Sequence, residues 1–553
     1  MPRPAPGRRA VLGACAATAV AWAAPTASAS ARAARGPAEG RAEVARTSAG
    51  PVAGLRTGAT VAFRGVPYAR PPVGPLRFAS PRPPVPWREV RDATRYSPAF
   101  TQTIDPDSRE DALYANVWTP STRGRRPVLV YIHGGGWQVG AGSWPTYDGS
   151  RLADRGDLVV ITFNYRLGPF GFGYHEELTD DTTGDCANWG LQDQAALLRW
   201  VRENAEAFGG DPYNITLSGT SAGGASTWQL ALHPEVRGLV RRIVPISACH
   251  VWAPATSLTV PDARRAYEEV AARIGTSVRG LRAVSADALR DAWFTVFGGG
   301  PVGRAVGSGR EYRGPVVDGR WMRGFDHQLP TPALPVLSVH TRTEGSFYTG
   351  PGSPIPTPAP TDGPSLREAV RGVLLKGAER VPDSLVDGCV DAYRAAAVAD
   401  GLPLDPVSLW TDVWGDGLFR YQNVRFAERH ARTGTTPGYL MEFAHPARAP
   451  WFGTPHEHTS PFLFGTQGIA DNVGECGDGP GERAVSDTFI DLVASFARTG
   501  RPSAPGAPPW PVFSPDRPST LILGEPGGPR TAHPTKARQL EFWDANGWAP
   551  RIS

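Results

Sequence analysis

Short apolar runs rich in β-branched residues alternate along this chain with stretches of helical periodicity. Pro127–His133 (PVLVYIH) and Leu158–Tyr165 (LVVITFNY) read as buried strands, because runs this continuous leave no polar face for solvent. Trp189–Phe208 has helical periodicity and stops at Gly209-Gly210, which predicts a helix. Asn214–Ser218 is a third strand, with a helix over Ser221–His233 after it. Leu334–His340 and Tyr439–Phe443 are later strands. Alternation of this kind predicts an α/β fold with a mostly parallel central sheet and helices on both faces. The segments 251–330 and 350–435 are longer and more helical than simple crossovers need. They read as helical insertions over the C-terminal edge of the sheet, with a proline-rich surface loop at 350–365.

The amino terminus follows another pattern. Arg8-Arg9 precede an apolar run from Val11 to Ala24, and Ala27-Ser28-Ala29 forms an A-x-A site. This predicts a signal peptide over residues 1–29 and a secreted product. The paired arginines suggest twin-arginine export, but Gly7 and Val11 match that motif poorly, so the general secretory route stays equally open. The run is too short and too alanine-rich to span a membrane, and no later one approaches about 20 apolar residues. Residues 30–45, rich in Ala, Arg and Gly, read as a disordered linker, and 46–553 as one globular domain. A formal charge of +4 on 553 residues gives no reason to expect nucleic acid or an anionic membrane as partner. Beyond the leader stand Cys186, Cys249, Cys389 and Cys476, without the clustering of a metal site. Export permits disulfides among them, in any of three pairings.

Gly219-Thr220-Ser221-Ala222-Gly223 fits G-x-S-x-G between a strand and a helix. A turn that lifts a serine hydroxyl out of the sheet needs glycine at both flanks, where a side chain would strike backbone. The plain alternative is a helix N-terminus with a capping serine. Gly134-Gly135-Gly136 follows directly on the strand ending at His133, where bare backbone N–H groups can face a developing oxyanion. A strand followed by HGGGW, well ahead of such a serine turn, is much less common by chance than either motif alone. The chain order Ser, acid, His is that of the α/β-hydrolase fold. Glu344 lies just after the strand ending at His340, where the acid belongs. Its rival Asp318 lies in Val316–Gly319, which reads as a strand end and turn. Of the histidines downstream, His430, His445, His456, His458 and His533, position favours the loop after 439–443, which leaves His456 and His458.

These segments resemble the type-B carboxylesterases, the family that includes cholinesterases and bacterial para-nitrobenzyl esterases. The resemblance runs from about Val52 to Trp548. It rests on Phe63–Phe78 (FRGVPYARPPVGPLRF), Glu110–Pro120 (EDALYANVWTP), Tyr131–Trp137 (YIHGGGW), Asn164–Phe172 (NYRLGPFGF), Asn188–Gln194 (NWGLQDQ), Phe208–Gly224 (FGGDPYNITLSGTSAGG) and Thr343–Phe347 (TEGSF). It implies the α/β-hydrolase fold, a glutamate as triad acid, hence Glu344, and an oxyanion hole from the N–H groups of Gly135, Gly136 and Ala222. It also separates the histidines. In the family the base lies nine residues before a Phe-Gly glycine, and Phe464-Gly465 places it at His456. The chain departs from the pattern at Ala112, where a disulfide cysteine is usual, and between Tyr96 and Glu110, where the choline-binding tryptophan is missing. Two glutamates usual beside the histidine are Thr220 and Thr459, which implies an imidazole with less negative charge around it.

The expected activity is hydrolysis of small-molecule carboxylic esters through Ser221, His456 and Glu344, with no metal or organic cofactor. Trp137, beside the oxyanion glycines, is expected to narrow the acyl side of the substrate pocket. Lipase, polyesterase, thioesterase and amidase specificities remain open on the same machinery. A non-catalytic recognition domain is the reading from another class, and the intact triad and glycines speak against it. Oligomeric state is not legible.

Overall fold

The computed structural model describes residues 40–249, 259–297, 314–350, 358–374 and 381–546. The leader expected over 1–29 lies outside the described residues, as does part of the proline-rich loop. Thirteen strands form one sheet. In chain order they are β1 (Arg41–Arg46), β2 (Pro51–Thr57), β3 (Thr60–Pro67), β4 (Arg91–Asp92), β5 (Tyr114–Thr119), β6 (Arg126–Ile132) and β7 (Val159–Phe163). They continue with β8 (Gly210–Thr220), β9 (Arg242–Ile246), β10 (Val336–Thr341), β11 (Gly438–Phe443), β12 (Thr520–Leu523) and β13 (Arg530–Ala532). The spatial order is β1-β2-β3-β5-β7-β6-β8-β9-β10-β11-β12-β13, with β4 beside β2. From β7 to β12 every neighbour is parallel; β1, β2, β3 and β5 add an antiparallel flank and β13 an antiparallel edge.

The continuous apolar strands are explained by cover on both faces. In β6, Val128, Val130 and Ile132 enter one core while Leu129 and Tyr131 enter the other. Side chains alternate along a strand, so a strand buried on both faces must be apolar at every position. Trp189, Leu191 and Leu198 of helix Trp189–Asn204 and Trp228 of helix Ala222–Leu232 cover the first face. Phe489, Val493 and Phe496 of helix Pro480–Thr499 cover the second. The expected insertions are helical: Val260–Ile274 and Ala286–Phe297 in the first, and Gly363–Leu374, Asp383–Asp400, Pro406–Gly415 and Tyr421–Thr433 in the second. A π-helical turn, Asp416–Arg420, joins the last two.

The linker expected to run through residue 45 ends earlier. Arg41–Arg46 form β1, an edge strand paired residue by residue with β2. The arginines that helped this Ala-, Arg- and Gly-rich stretch read as a linker continue at its end as edge-strand charges, and Glu43 accepts from Arg56 Nε across the pair at 2.5 Å. Two buried ion pairs tie the crossovers. Arg77 Nε donates to Glu110 at 2.7 Å, and Arg166 donates to Asp193 through Nε at 2.8 Å and Nη2 at 2.7 Å. Cys186, Cys389 and Cys476 are free thiols, so none of the three permitted pairings, each of which needs two bridges, forms. Among the described residues no helix is long and apolar enough to cross a membrane, and no cluster of His, Cys, Asp or Glu could hold a metal ion.

Candidate active site

Four strands deliver the candidate residues to one rim. The glycine loop leaves β6, Ser221 follows β8, Glu344 follows β10, and the loop carrying His456 follows β11. All are C-terminal ends of parallel strands, where crevices of such sheets open. Ser221 stands at the β8–helix junction with φ 59° and ψ −121°, a conformation that a non-glycine residue adopts only when its surroundings force it. Its N–H donates to Ile246 O of β9 at 2.9 Å. The flanking glycines are obligatory. A Cβ on Gly219 would lie 2.7 Å from Ile132 O, and one on Gly223 only 2.1 Å from the same oxygen.

The glycine loop packs directly on this turn. A Cβ on Gly134 would meet Glu457 Oε1 at 2.8 Å and Ser221 Cβ at 3.1 Å, and one on Gly135 would strike Val139 O at 2.2 Å. Gly135 and Gly136 have φ of 101° and 62°. Their N–H groups reach no acceptor among the described residues. Trp137, expected beside the acyl side, is packed inward and 2% exposed. Its Nε1 donates to Ser226 Oγ at 3.0 Å and its ring lies against Phe172 and Gly314.

His456 and Glu344 are joined: Nδ1 of the imidazole and Oε2 of the carboxylate are 2.6 Å apart, both side chains 1% exposed. The other oxygen, Oε1, accepts from Ser247 Oγ at 2.7 Å and from Thr341 N–H at 2.8 Å, which fixes the carboxylate's plane. His456 Nε2 has no partner among the described residues. Aromatic rings hold the imidazole from the side: Phe419 of the π turn at 4.0 Å between centroids, Tyr348 at 5.7 Å and Phe347 at 6.1 Å. His458, the other candidate base, bonds Glu475 through Nδ1 at 3.0 Å and stacks on His445. Asp318, the rival acid, accepts from the N–H groups of Arg320, Trp321 and Met322 in its own turn. His133 lies behind the loop, stacked on Tyr165 at 4.4 Å, its Nδ1–H donating to Gly134 O at 2.8 Å. Burial pulls its pKa down to about 4.

Three residues at the site were missed by the sequence reading. Ser247 and Phe419 lie in ordinary apolar contexts that give no signal. Glu457 was visible, as an acid between two histidines in an otherwise buried loop. Thr220 and Thr459, read as lost charges, are buried: Thr220 Oγ1 bonds Tyr131 OH at 2.6 Å, and Thr459 Oγ1 has no partner among the described residues.

Comparison with known proteins identifies the family and the fold. The pattern of the carboxylesterase family matches residues 41–543. The para-nitrobenzyl esterase of Bacillus subtilis is 32% identical over 496 residues, covering 87% of this chain and 94% of its own. The phenmedipham hydrolase of Pseudarthrobacter oxydans is 33% identical over 517 residues, covering 88% and 95%. Among solved structures, a para-nitrobenzyl esterase superposes with a TM-score of 0.75 at 28% identity, over 90% of this chain and 99% of its own. A Geobacillus stearothermophilus carboxylesterase gives 0.74 at 29%, with the same coverage. A match that runs from β1 to the last described helix, on an α/β-hydrolase sheet, leaves one conclusion: the chain belongs to the carboxylesterase family and is a hydrolase of carboxylic esters.

Proposed function

We propose that the chain is an exported serine carboxylesterase with Ser221 as nucleophile, His456 as general base and Glu344 as the acid that orients the histidine. The observation that carries this reading is the 2.6 Å bond between His456 Nδ1 and Glu344, on the rim that also holds the strained Ser221. A carboxylate on Nδ1 keeps that proton in place and leaves Nε2 with the lone pair that accepts the serine proton. Ser221 Oγ attacks the ester carbonyl as its proton passes to Nε2. The N–H groups of Gly135, Gly136 and Ala222 take the developing oxyanion, one such donor being worth about 3–4 kcal/mol in the transition state. The imidazolium returns its proton to the departing alcohol, and water cleaves the acyl-enzyme by the same steps. The name of the para-nitrobenzyl esterase makes small neutral benzyl esters the first substrates to try. The leader over residues 1–29 supports export, and protein recovered from culture medium is expected to begin just after Ala29.

The deciding experiment is Ser221→Ala. Ester hydrolysis and labelling by an organophosphonate should both disappear while the thermal transition stays in place. A residue of about 10³–10⁴-fold over water is expected from the remaining site. Near-normal turnover by this variant would sink the assignment.

A further inference from the structure

The proposed machinery leaves one acid at the site unused. Glu457, next in sequence to His456, turns its carboxylate toward the glycine loop, where Oε1 occupies the space in front of Gly134 beside Ser221. Its other oxygen, Oε2, accepts from Ser460 Oγ at 3.4 Å. Ser460 Oγ meets Tyr131 OH at 3.0 Å, and that hydroxyl meets Thr220 Oγ1. The carboxylate therefore rests on a chain of neutral hydroxyls. Among the described residues it has no arginine or lysine partner. The charged and titratable groups around it are His456 and Glu344 at the site, Glu475 from helix Val473–Cys476, Tyr131 from β6, Tyr147, and Tyr165 after β7. Of these only His456 can become a cation.

An enclosed acid without a fixed cation is costly to ionise, and burial pushes the Glu457 carboxyl above the ordinary range. A cation that appears beside it recovers part of that cost. The proposed reaction supplies one, the imidazolium that forms as Ser221 loses its proton. We propose that Glu457 is a second carboxylate for that imidazolium, a positioning residue that stabilises the charge through space while Glu344 bonds it at Nδ1. The negative charge that the sequence lacks at Thr220 and Thr459 is thereby supplied from the position after the histidine. This inference rests on His456 being the base.

The test is a pair of pH profiles of kcat/KM on a neutral ester, for the native enzyme and for Glu457→Gln, which keeps volume and hydrogen bonding but not charge. Glu457 stabilises the protonated resting imidazole and the imidazolium-like transition state alike. Removing it should lower the plateau about tenfold and move the acid limb down by about one pH unit, so that the two curves merge in acid. Glu457→Asp, which keeps the charge, should retain most of the plateau. Active-site titration with an organophosphonate and a thermal melt check that each variant is folded. A profile displaced equally at all pH values would show a structural defect and overturn the inference, as would coincident profiles or equal losses in Asp and Gln. A higher plateau in Glu457→Gln would overturn it too, by showing that repulsion of the oxyanion dominates. His456→Ala separates the layers. If it is inactive while Glu457→Gln leaves the profile unmoved, the triad stands and only the role of Glu457 falls. If His456→Ala stays active, both fall.

Discussion

His456 and His458 are two positions apart and equally buried, yet they differ in what they touch. His456 is held by a carboxylate whose other oxygen is already bonded twice; His458 pairs with a part-exposed Glu475 at the back of the loop. His456→Ala should reduce kcat by about 10⁴-fold or more, because loss of the proposed base is comparable to loss of the proposed nucleophile. His458→Ala should cost less than tenfold in kcat, its effect lying in loop packing. Steady-state kinetics of the two variants check the ranking, and the reverse order would move the base to His458. A second residue-scale prediction concerns His133. Burial holds it neutral, with a folded pKa of about 4 against about 6.5 unfolded. Between those values the unfolded chain binds the extra proton, so stability falls as pH falls through this window. The native protein should lose about 2 kcal/mol between pH 7 and pH 5 that His133→Gln does not lose. Denaturant unfolding of both at the two pH values measures the difference, and equal losses would refute it. At this scale much of the candidate site was legible in the sequence. Ser221 and the glycines were legible because their chemistry demands particular residues at fixed spacing. Glu344 followed from its place after a strand. The choice of His456 needed the family's spacing, since apolar patterning alone could not separate two histidines in one loop. Ser247 and Phe419 stayed hidden because contacts between distant segments leave no local trace.

At the scale of elements, apolar runs foretold β6, β7, β8, β10 and β11 because strands covered on both faces have no alternative composition. The antiparallel flank was harder to read. β1 is largely exposed and carries Arg41 and Arg46, β2 contains Gly54 and Arg56, and both are specified by pairing more than by an apolar run. The turn carrying Ser221 shows how tightly element packing constrains the motif. Gly223 begins a helix pressed onto the end of β6, so Gly223→Ala should destabilise the fold by about 3 kcal/mol through overpacking against Ile132 O. Gly388, in helix Asp383–Asp400, has open space around a Cβ, and Gly388→Ala should be neutral or slightly stabilising. Urea unfolding of the two variants tests the contrast. Equal stability changes would mean that the β6–helix approach is looser than described.

At the scale of the whole molecule, the candidate site is assembled from both ends of the chain's long insertions. The π turn that presents Phe419 to His456 also carries Arg420, which donates to Asp416 through Nε at 2.6 Å and to Lys536 O through Nη2 at 3.2 Å. Asp416 accepts from Tyr393 OH at 2.8 Å, and that hydroxyl accepts from Trp543 Nε1 at 2.8 Å. Lys536 itself reaches back to Asp412 at 2.5 Å. Segment 535–545 is thus clamped to the element that shoulders the imidazole. A chain stopped after His533 keeps every proposed catalytic group, but strands Arg420 and Asp416 without their outer partners. It should lose at least tenfold in kcat on a neutral ester, measured beside a full-length control, with KM changing less. Unchanged kcat would show that the π turn holds its shape alone. The clamp also sets an order of events. During synthesis the serine, acid and histidine all emerge before residue 536, yet the ring beside the histidine is secured only when the carboxyl-terminal helix docks. A nascent or clipped chain that lacks this segment is in this way expected to turn over more slowly than one that carries it.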